Sequence, residues 1–463
     1  MPNIGRRAVV IGAGMGGLAA ARALADHFER VLVLDQDTLP DHPIDRHGVP
    51  QGRHVHALLA GGQQALAELF PKFEDALVRA GAVRLRVGLD IRVDRPGFDP
   101  FPQRDLGFDA FAMSRPLVEM TVRRCVQEHA SIDLCQGCRV QALVHRPDGA
   151  AVTGARYTDA AGKTETADAD LVIDASGRGT PTLDALAALG RTPPAETTIG
   201  VDLGYASAVF EIPADAPADW KGAFCLPGAG RASRGSLMLP LEGHRWIATV
   251  GGRHGDLPPG DEAGFMDYAK ALRTPTIYDA ITDAKRLGDI ARFRFNESVL
   301  RHYEHLENFP RGVLPIGDAI CRFNPIYGQG MSVASMEAVA LGRLMARRAR
   351  ERDPLAELAP EYFVEVARIV DTPWAAAAIP DFVHPETRGE RPPDFEQTLK
   401  FGGALGMLAA HDPAVHRLTA EVQHLLKPRS VYQDPDLVQR VLAVMREPKA
   451  ARGNAPGQEG KRP

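Results

Sequence analysis

The sequence predicts an α/β fold: a Rossmann-like nucleotide-binding domain, an interleaved antiparallel β-sheet domain and a helical C-terminal region. Three observations carry this. "AVVIGAG" runs into "MGGLAAARALADHF", a strand, a glycine turn and a helix in succession. Stretches that alternate like half-buried strands lie between the nucleotide-type segments. From Leu355 onward apolar residues recur at helical spacing, interrupted at "HPETRGERPPDF".

Each element can be justified in turn. "AVVIGAG" is a short β-branched run ending at glycine, as a buried parallel strand does. The turn that follows carries Gly12-x-Gly14-x-x-Gly17. Gly12 permits the tight turn, Gly14 lets a pyrophosphate approach the backbone, and Gly17 lets helix and strand pack closely. Met15 opens the helix, whose free N–H groups and positive dipole face the phosphates. "RVLVLD" is a second strand ending in Asp35, about 20 residues beyond Gly14, where a carboxylate meets a ribose hydroxyl. The chain is therefore expected to bind a dinucleotide, and this signal leaves NAD and FAD both open.

A second signal lies in "GVLPIGDAICRFNPIYGQGMSVASMEAVALGRLMARRAR". A strand runs to Gly317 and Asp318, then a loop with Pro325, Gly328 and Gly330, then a long amphipathic helix near Met331. This places a second anion-friendly helix start at a strand's carboxyl end. An extended flavin nucleotide needs such a site and a simple NAD enzyme does not.

With these blocks the chain resembles the flavoprotein monooxygenases of the para-hydroxybenzoate hydroxylase type. The segments "IDRHGVPQGRHVHALLAGGQQALAELFP", "SRPLVE", "DASGRGTP", "HRWIATV" and "GDAICRFNPIYGQGMS" resemble its polyether polyketide epoxidase subgroup. The likeness covers roughly the first 350 residues. It implies a Rossmann-like FAD-binding domain in which Gly317 and Asp318 hold the ribityl–pyrophosphate part of FAD. It places Pro325 to Ser332 beside the isoalloxazine, with Gly330, Met331 and Ser332 offering N–H groups to its anionic edge and Pro325 lining the oxygen side. Arg115, opening "RPLVEMTVRRCV", is implied near the nucleotide, where a guanidinium matches phosphate or ribose oxygens. The region around Asp174 corresponds to a family motif, although it reads Asp-Ala-Ser-Gly where the family has Asp-Gly. Gln51 and Arg53 are further candidate FAD contacts. His54 and His56 could hydrogen-bond the flavin or position substrate, or be structural.

The implied reaction is insertion of one oxygen atom from O2, through a flavin C4a-hydroperoxide, into a hydrophobic natural-product-like substrate by epoxidation or hydroxylation. Only one G-x-G-x-x-G unit stands in context. NAD(P)H would then visit transiently, or a separate flavin reductase would supply electrons. No base–acid constellation identifies a catalytic residue. Two other readings stay open: a flavin-dependent reductase or dehydrogenase of prenyl or polyene chains, and a non-catalytic nucleotide-binding module. A halogenase is disfavoured, since Trp220, Trp246 and Trp374 are isolated and Lys72 is the one lysine before Lys163.

The FAD domain is expected to be discontinuous, over 1–75, 112–185 and 290–352, with the sheet domain over 76–111 and 186–289. "AVRLRVGLDIRVD", "GYASAVFEIP" and "GSLMLPLEGHRWIATVGGR" supply its strands, and Phe210, Phe224, Met238, Leu239 and Trp246 are pocket or core positions. The helical region is expected over 353–446 and a disordered tail over 447–463.

Composition narrows the alternatives. With 59 acidic and 54 basic residues the net charge is −5, which argues against nucleic-acid binding. Five cysteines are too sparse for a disulfide framework, and the Cys135-x-x-Cys138 pair reads as a turn into a strand. No metal-ligand pattern appears. No stretch reaches the roughly 18 uncharged apolar residues of a membrane span, so a cytoplasmic protein without membrane contact is expected.

Overall fold

The computed structural model describes residues 3–228 and 233–446. The stretch expected to be a disordered tail lies outside them. By compactness the chain divides into a unit ending at Glu390 and a second beginning at Arg391. Helix Leu358–Asp381 falls in the first, packed on the long helix Gly330–Arg348, so the compact boundary lies well beyond 353. The second unit contains helices Phe395–His411, Pro413–Gln423 and Pro435–Arg446.

Among the described residues, a five-stranded parallel sheet takes the order Val313–Pro315, Leu171–Asp174, Gly5–Ile11, Phe28–Leu34 and Ile132–Cys135. Ile11 pairs with Asp174 and with Leu34, and Asp174 pairs with Pro315. The carboxyl ends of these strands are therefore level, and the glycine turn and the Gly317–Asp318 turn leave the sheet on the same side. That edge is where open α/β sheets bind ligands. Val9, Val10, Val31, Val33, Val172 and Ile173 are completely buried, which explains the near-continuous apolar runs.

The second large sheet takes the order Cys321–Arg322, Arg286–Arg301, Glu196–Glu211, Arg245–Arg253, Gly235–Leu241, Gly222–Cys225 and Ile91–Asp94. It is antiparallel except at its edge, where Ile91–Asp94 runs parallel to Gly222–Cys225. It also extends past 289, because the 16-residue strand Arg286–Arg301 pairs along almost the whole of Glu196–Glu211. The turn between Gly235–Leu241 and Arg245–Arg253 falls at the predicted "EGH", with Gly243 and His244 at φ +74° and +58°.

Alternation sorts this sheet's faces. Phe210, Met238 and Trp246 point with Ala206, Ala208 and Val250 into a core completed by Phe265, Tyr268, Ile277 and Ile281. Trp246 also donates its indole N–H to Lys221 O at 3.0 Å. Burying a side chain of this size is worth roughly 3 kcal/mol. These three candidates are core. Leu239 and Phe224 lie on the opposite face with Leu85, Ala112 and Val55.

All five cysteines are free thiols. Burial raises the Cys135 and Cys138 thiols above their ordinary range. Among the described residues no helix is long and apolar enough to cross a membrane.

Candidate functional site

The site begins at the glycine turn. Gly12 stands at φ +98°, and a Cβ there would lie 2.6 Å from Ala175 O. A Cβ on Gly17 would lie 1.9 Å from Gly12 O, whereas one on Gly14 would meet nothing within 4 Å. The three glycines thus do two different jobs: the outer two close the backbone on itself, and the middle one borders open space. Leu18 N–H is the first to bond back, to Gly14 O at 2.9 Å, so the N–H groups of Met15, Gly16 and Gly17 keep no intrahelical partner.

A second helix start converges on the first. In the helix Gly330–Arg348, Val333 N–H bonds back to Gln329 O at 2.9 Å, leaving the N–H groups of Gly330, Met331 and Ser332 without intrahelical acceptors. Gly16 packs against this helix, since a Cβ on it would lie 3.3 Å from that of Ala334. Asp318 Oδ1 would lie 3.6 Å from a Cβ on Gly330. Asp318 is solvent-accessible, yet the protein crowds it enough that loss of hydration pushes its carboxyl up to about 6, against the pull of Arg322 and Arg115. A group both accessible and crowded lines a cleft.

Arginines supply the charge. Buried Arg115 forms an ion pair with Glu119 at 2.7 Å, while its Nη1 has no hydrogen-bond partner among the described residues. Arg46 reaches Glu119 at 2.6 Å, Asp37 at 2.8 Å and Asp35 at 3.3 Å, and donates to Ala13 O at 3.3 Å. Burial alone would raise the Glu119 carboxyl, but Arg115 and Arg46 outweigh it and hold it below its ordinary value. Arg46 lies inside the "IDRHGVPQGRHVH" block, yet nothing in its spacing marks it out. Its importance appears only when two acids of the loop after Phe28–Leu34 and a third from the helix Arg115–Gln127 surround it.

The remaining candidates separate into two groups. Asp35 binds the glycine turn itself, accepting from Ala13 N at 2.6 Å and Asp37 N at 2.8 Å. Ser332 is buried and accepts from Leu59 N at 3.0 Å, tying the helix Gly330–Arg348 to the helix Ala60–Leu69. Asp174 has no exposure and spends its carboxylate on Ser176 N, Thr182 N and Thr182 Oγ1, at 3.1, 2.9 and 2.7 Å. Its oxygens stitch a turn to the helix Thr180–Ala188. Arg53 is exposed and paired with Asp45 at 3.4 Å, while Gln51 is half-buried in the same short 3₁₀ turn. Gly317 and Gly328 adopt φ +65° and +67°, and Pro325 opens a 3₁₀ turn that Gly328 closes.

Beneath the Gly317–Asp318 turn lies Glu337, missed in the sequence. Its Oε2 accepts from Gly317 N at 2.6 Å, and burial pushes its carboxyl up to about 8. An acid among the small apolar residues of "ASMEAVALG" was the available signal.

Toward the large sheet the character changes. His54 Nδ1 lies 2.7 Å from Ser207 Oγ, which lies 2.6 Å from Thr249 Oγ1. The His54 ring meets Tyr205 and Phe293 edge-on, at 4.6 and 5.8 Å between centroids. Burial, with the neighbouring His56 and Arg53, drives the His54 pKa down to about 3, so its ring is neutral. His56 donates to His54 O at 2.9 Å and is lowered to about 4 by burial and Arg115. The segment 54–57 therefore bridges the sheet and the Pro325–Gly328 turn, where a Cβ on Gly328 would lie 2.9 Å from that of Ala57. The alternation of Tyr205 and Ser207 was legible as a strand, but not which face would meet a histidine 150 residues away.

FAD fits this cleft on three grounds: open space before Gly14, a buried Arg115 nitrogen lacking a partner, and two helix starts presenting free N–H groups. Gly14, Arg115, Asp318 and the Gly330–Ser332 backbone would hold it.

Comparison with known proteins agrees. The model of the FAD binding domain family matches residues 107–359, and an NAD(P)-binding Rossmann-like domain model matches 10–59. The chain is 34% identical over 382 residues to Protein Rv3254 of Mycobacterium tuberculosis, covering 81% of this chain and 80% of that one. Among solved structures it resembles p-nitrophenol 4-monooxygenase PnpA from Pseudomonas putida at TM-score 0.64 and 17% identity, covering 92% of this chain and 99% of that one. A triple mutant of the flavin-dependent brominase Bmp2 gives TM-score 0.62 and 17% identity, over 90% of this chain and 94% of the other. PqsL of Pseudomonas aeruginosa, a probable FAD-dependent monooxygenase, gives 0.57 and 16%, over 81% and 96%. At these identities the structural likeness speaks for the fold.

Proposed function

Because the chain belongs to the FAD binding domain family, we propose that it inserts one oxygen atom from O2 into a hydrophobic natural-product-like substrate. It is an FAD-dependent oxidoreductase; the oxygen insertion, the substrate class and the epoxidase subgroup are our reading. NAD(P)H is the electron source, directly or through a flavin reductase, and we place the protein in the cytoplasm. Bound FAD, once reduced, supplies the activation of O2.

The chain's own residues would do the rest. The two helix starts and Arg115 neutralise the phosphates. Asp318 accepts hydroxyl hydrogen bonds, and the Gly330–Ser332 backbone favours negative charge at the ring's edge. Tyr205, Phe293, Leu239 and Phe224 offer an apolar wall that excludes water.

The observation that carries the reading is the neutral, aromatic environment of His54. A ring whose pKa is about 3 can hold a hydrogen bond but is a weak base near neutrality. Epoxidation of an electron-rich alkene needs no such base, and phenol hydroxylation does. The wall therefore supports epoxidation over aromatic hydroxylation.

The test is rapid mixing of the chemically reduced protein with oxygenated buffer, followed by turnover under ¹⁸O₂ with alkene and phenol panels. A transient absorbing species ahead of the oxidised spectrum, and ¹⁸O in product, support the proposal. Direct reoxidation with no label in any product points instead to a reductase or dehydrogenase.

A further inference from the structure

One buried carboxylate lies outside everything assigned above. Asp381 ends the helix Leu358–Asp381 and has no exposure. Its Oδ1 accepts from Tyr327 OH at 2.8 Å and from Asn324 Nδ2 at 3.0 Å, and pairs with Arg253 Nη1 at 2.8 Å. Asn324 Nδ2 also reaches Oδ2 at 3.1 Å. Asn324 is completely buried and Arg253 is 4% exposed.

These donors come from two places. Asn324 and Tyr327 flank Pro325 in the loop that follows the Gly317–Asp318 turn. Arg253 ends the strand Arg245–Arg253 of the large sheet. The loop's own backbone bonds are short-range: Gly328 N to Pro325 O at 3.0 Å and Tyr327 N to Asn324 O at 3.3 Å. Asn324 Oδ1 adds a turn bond from Ile326 N at 3.2 Å. Such local bonds shape a loop without fixing where it sits. Two side chains that end on Asp381 tie it, together with the packing of Gly328 on Ala57, to the rest of the fold. A buried pair with additional donors has one well-defined geometry, because any other leaves a charge without compensation.

We propose that Asp381 is a positioning residue: it fixes the Asn324–Gln329 loop against the flavin ring and, through Arg253, couples that placement to the substrate-side sheet. This rests on the reading that the loop borders the ring. Thr387 Oγ1, donating to Asp381 O at 2.8 Å, holds the helix end itself in place.

The experiment compares holoprotein of wild type, Tyr327→Phe, Asp381→Ala and the control Val370→Ala, a cavity in the core of the same helix. Two quantities are read: release of FAD on dilution, and the midpoint potential of the bound flavin. Tyr327→Phe removes one hydroxyl and keeps the ring, so it tests the network even where Asp381→Ala fails to fold. The expected result is an about tenfold change in the relative affinity for reduced and oxidised flavin, about 30 mV for a two-electron couple. Both loop variants should show it and Val370→Ala should not. Loop variants that lose thermal stability but match Val370→Ala in potential and FAD release overturn the positioning role. Wild-type protein that retains no FAD overturns the underlying reading instead, whatever the variants do.

Discussion

The two ends of the cleft are built on opposite electrostatic plans. At the proposed nucleotide end Arg46, Arg115, Asp35, Asp37 and Glu119 are buried together, and each charge has a partner of opposite sign. At the proposed ring end His54, Ser207, Thr249, Tyr205 and Phe293 form a wall with no net charge. Charges packed in this way are costly to bury and strongly destabilising when one partner is removed. The neutral wall has no such penalty, so its side chains are freer to change. On the proposed function the charged end serves affinity and the neutral end serves environment.

The largest expected effect breaks the first plan at its backbone. Gly17→Ala places a methyl group against Gly12 O and should destabilise the protein by about 3 kcal/mol, seen as a lowered Tm and loss of bound FAD together. Gly14→Ala has room, so its Tm should stay at the wild-type value while FAD affinity falls about tenfold, the equivalent of about 1.4 kcal/mol. Equal Tm losses in the two would remove the distinction between a packing glycine and a ligand-facing one.

Next comes Arg115→Met, which removes the unpartnered nitrogen and leaves Glu119 with one cation fewer. Isothermal titration of the deflavinated protein should show FAD binding weakened about 100-fold, as for loss of a charge-assisted bond of about 3 kcal/mol.

A smaller effect concerns pH. Glu337 has its carboxyl raised to about 8, so the folded state holds a proton that the unfolded chain releases near its ordinary value. Stability from this group is fully present at low pH and lost as pH rises toward 8. Asp318, raised to about 6, acts in the same sense over a lower window. Melting curves of deflavinated protein from pH 5 to 8 should fall with pH, and Glu337→Gln should flatten the upper part of that slope. An unchanged slope would place the proton elsewhere.

The smallest effect sharpens the neutral end. Ser207→Ala should leave FAD content and Tm nearly unchanged and slow flavin reoxidation in the presence of substrate a few-fold. With His54 neutral down to about pH 3, the pH profile between 5 and 8 should keep its shape in this variant. A new inflection near 6 would show that His54 titrates in the working range.

Particular residues show how much the sequence carried. The glycine turn, the Gly317–Asp318 turn and the helix start at Gly330 were legible because each is a local pattern. A tight turn, a close approach or a helix start imposes its residue types on neighbours in the chain. The hairpin at "EGH" was legible for the same reason. Asp174 shows the limit: its motif position was readable, but the partners that occupy its oxygens were not. Arg46, Glu337, Ser207 and Asp381 each acquire their role from partners brought in from elsewhere in the chain.

The sequence by itself therefore determined the α/β class, the two anion-ready helix starts and the alternating strands, because backbone conformation and burial periodicity are short-range properties. Only the tertiary structure decided which acids surround Arg46, which sheet face meets His54, and that Asn324, Tyr327 and Arg253 end on one carboxylate. Those pairings depend on distance in space, and neutralising a buried charge requires a partner within a few ångströms wherever it lies along the chain.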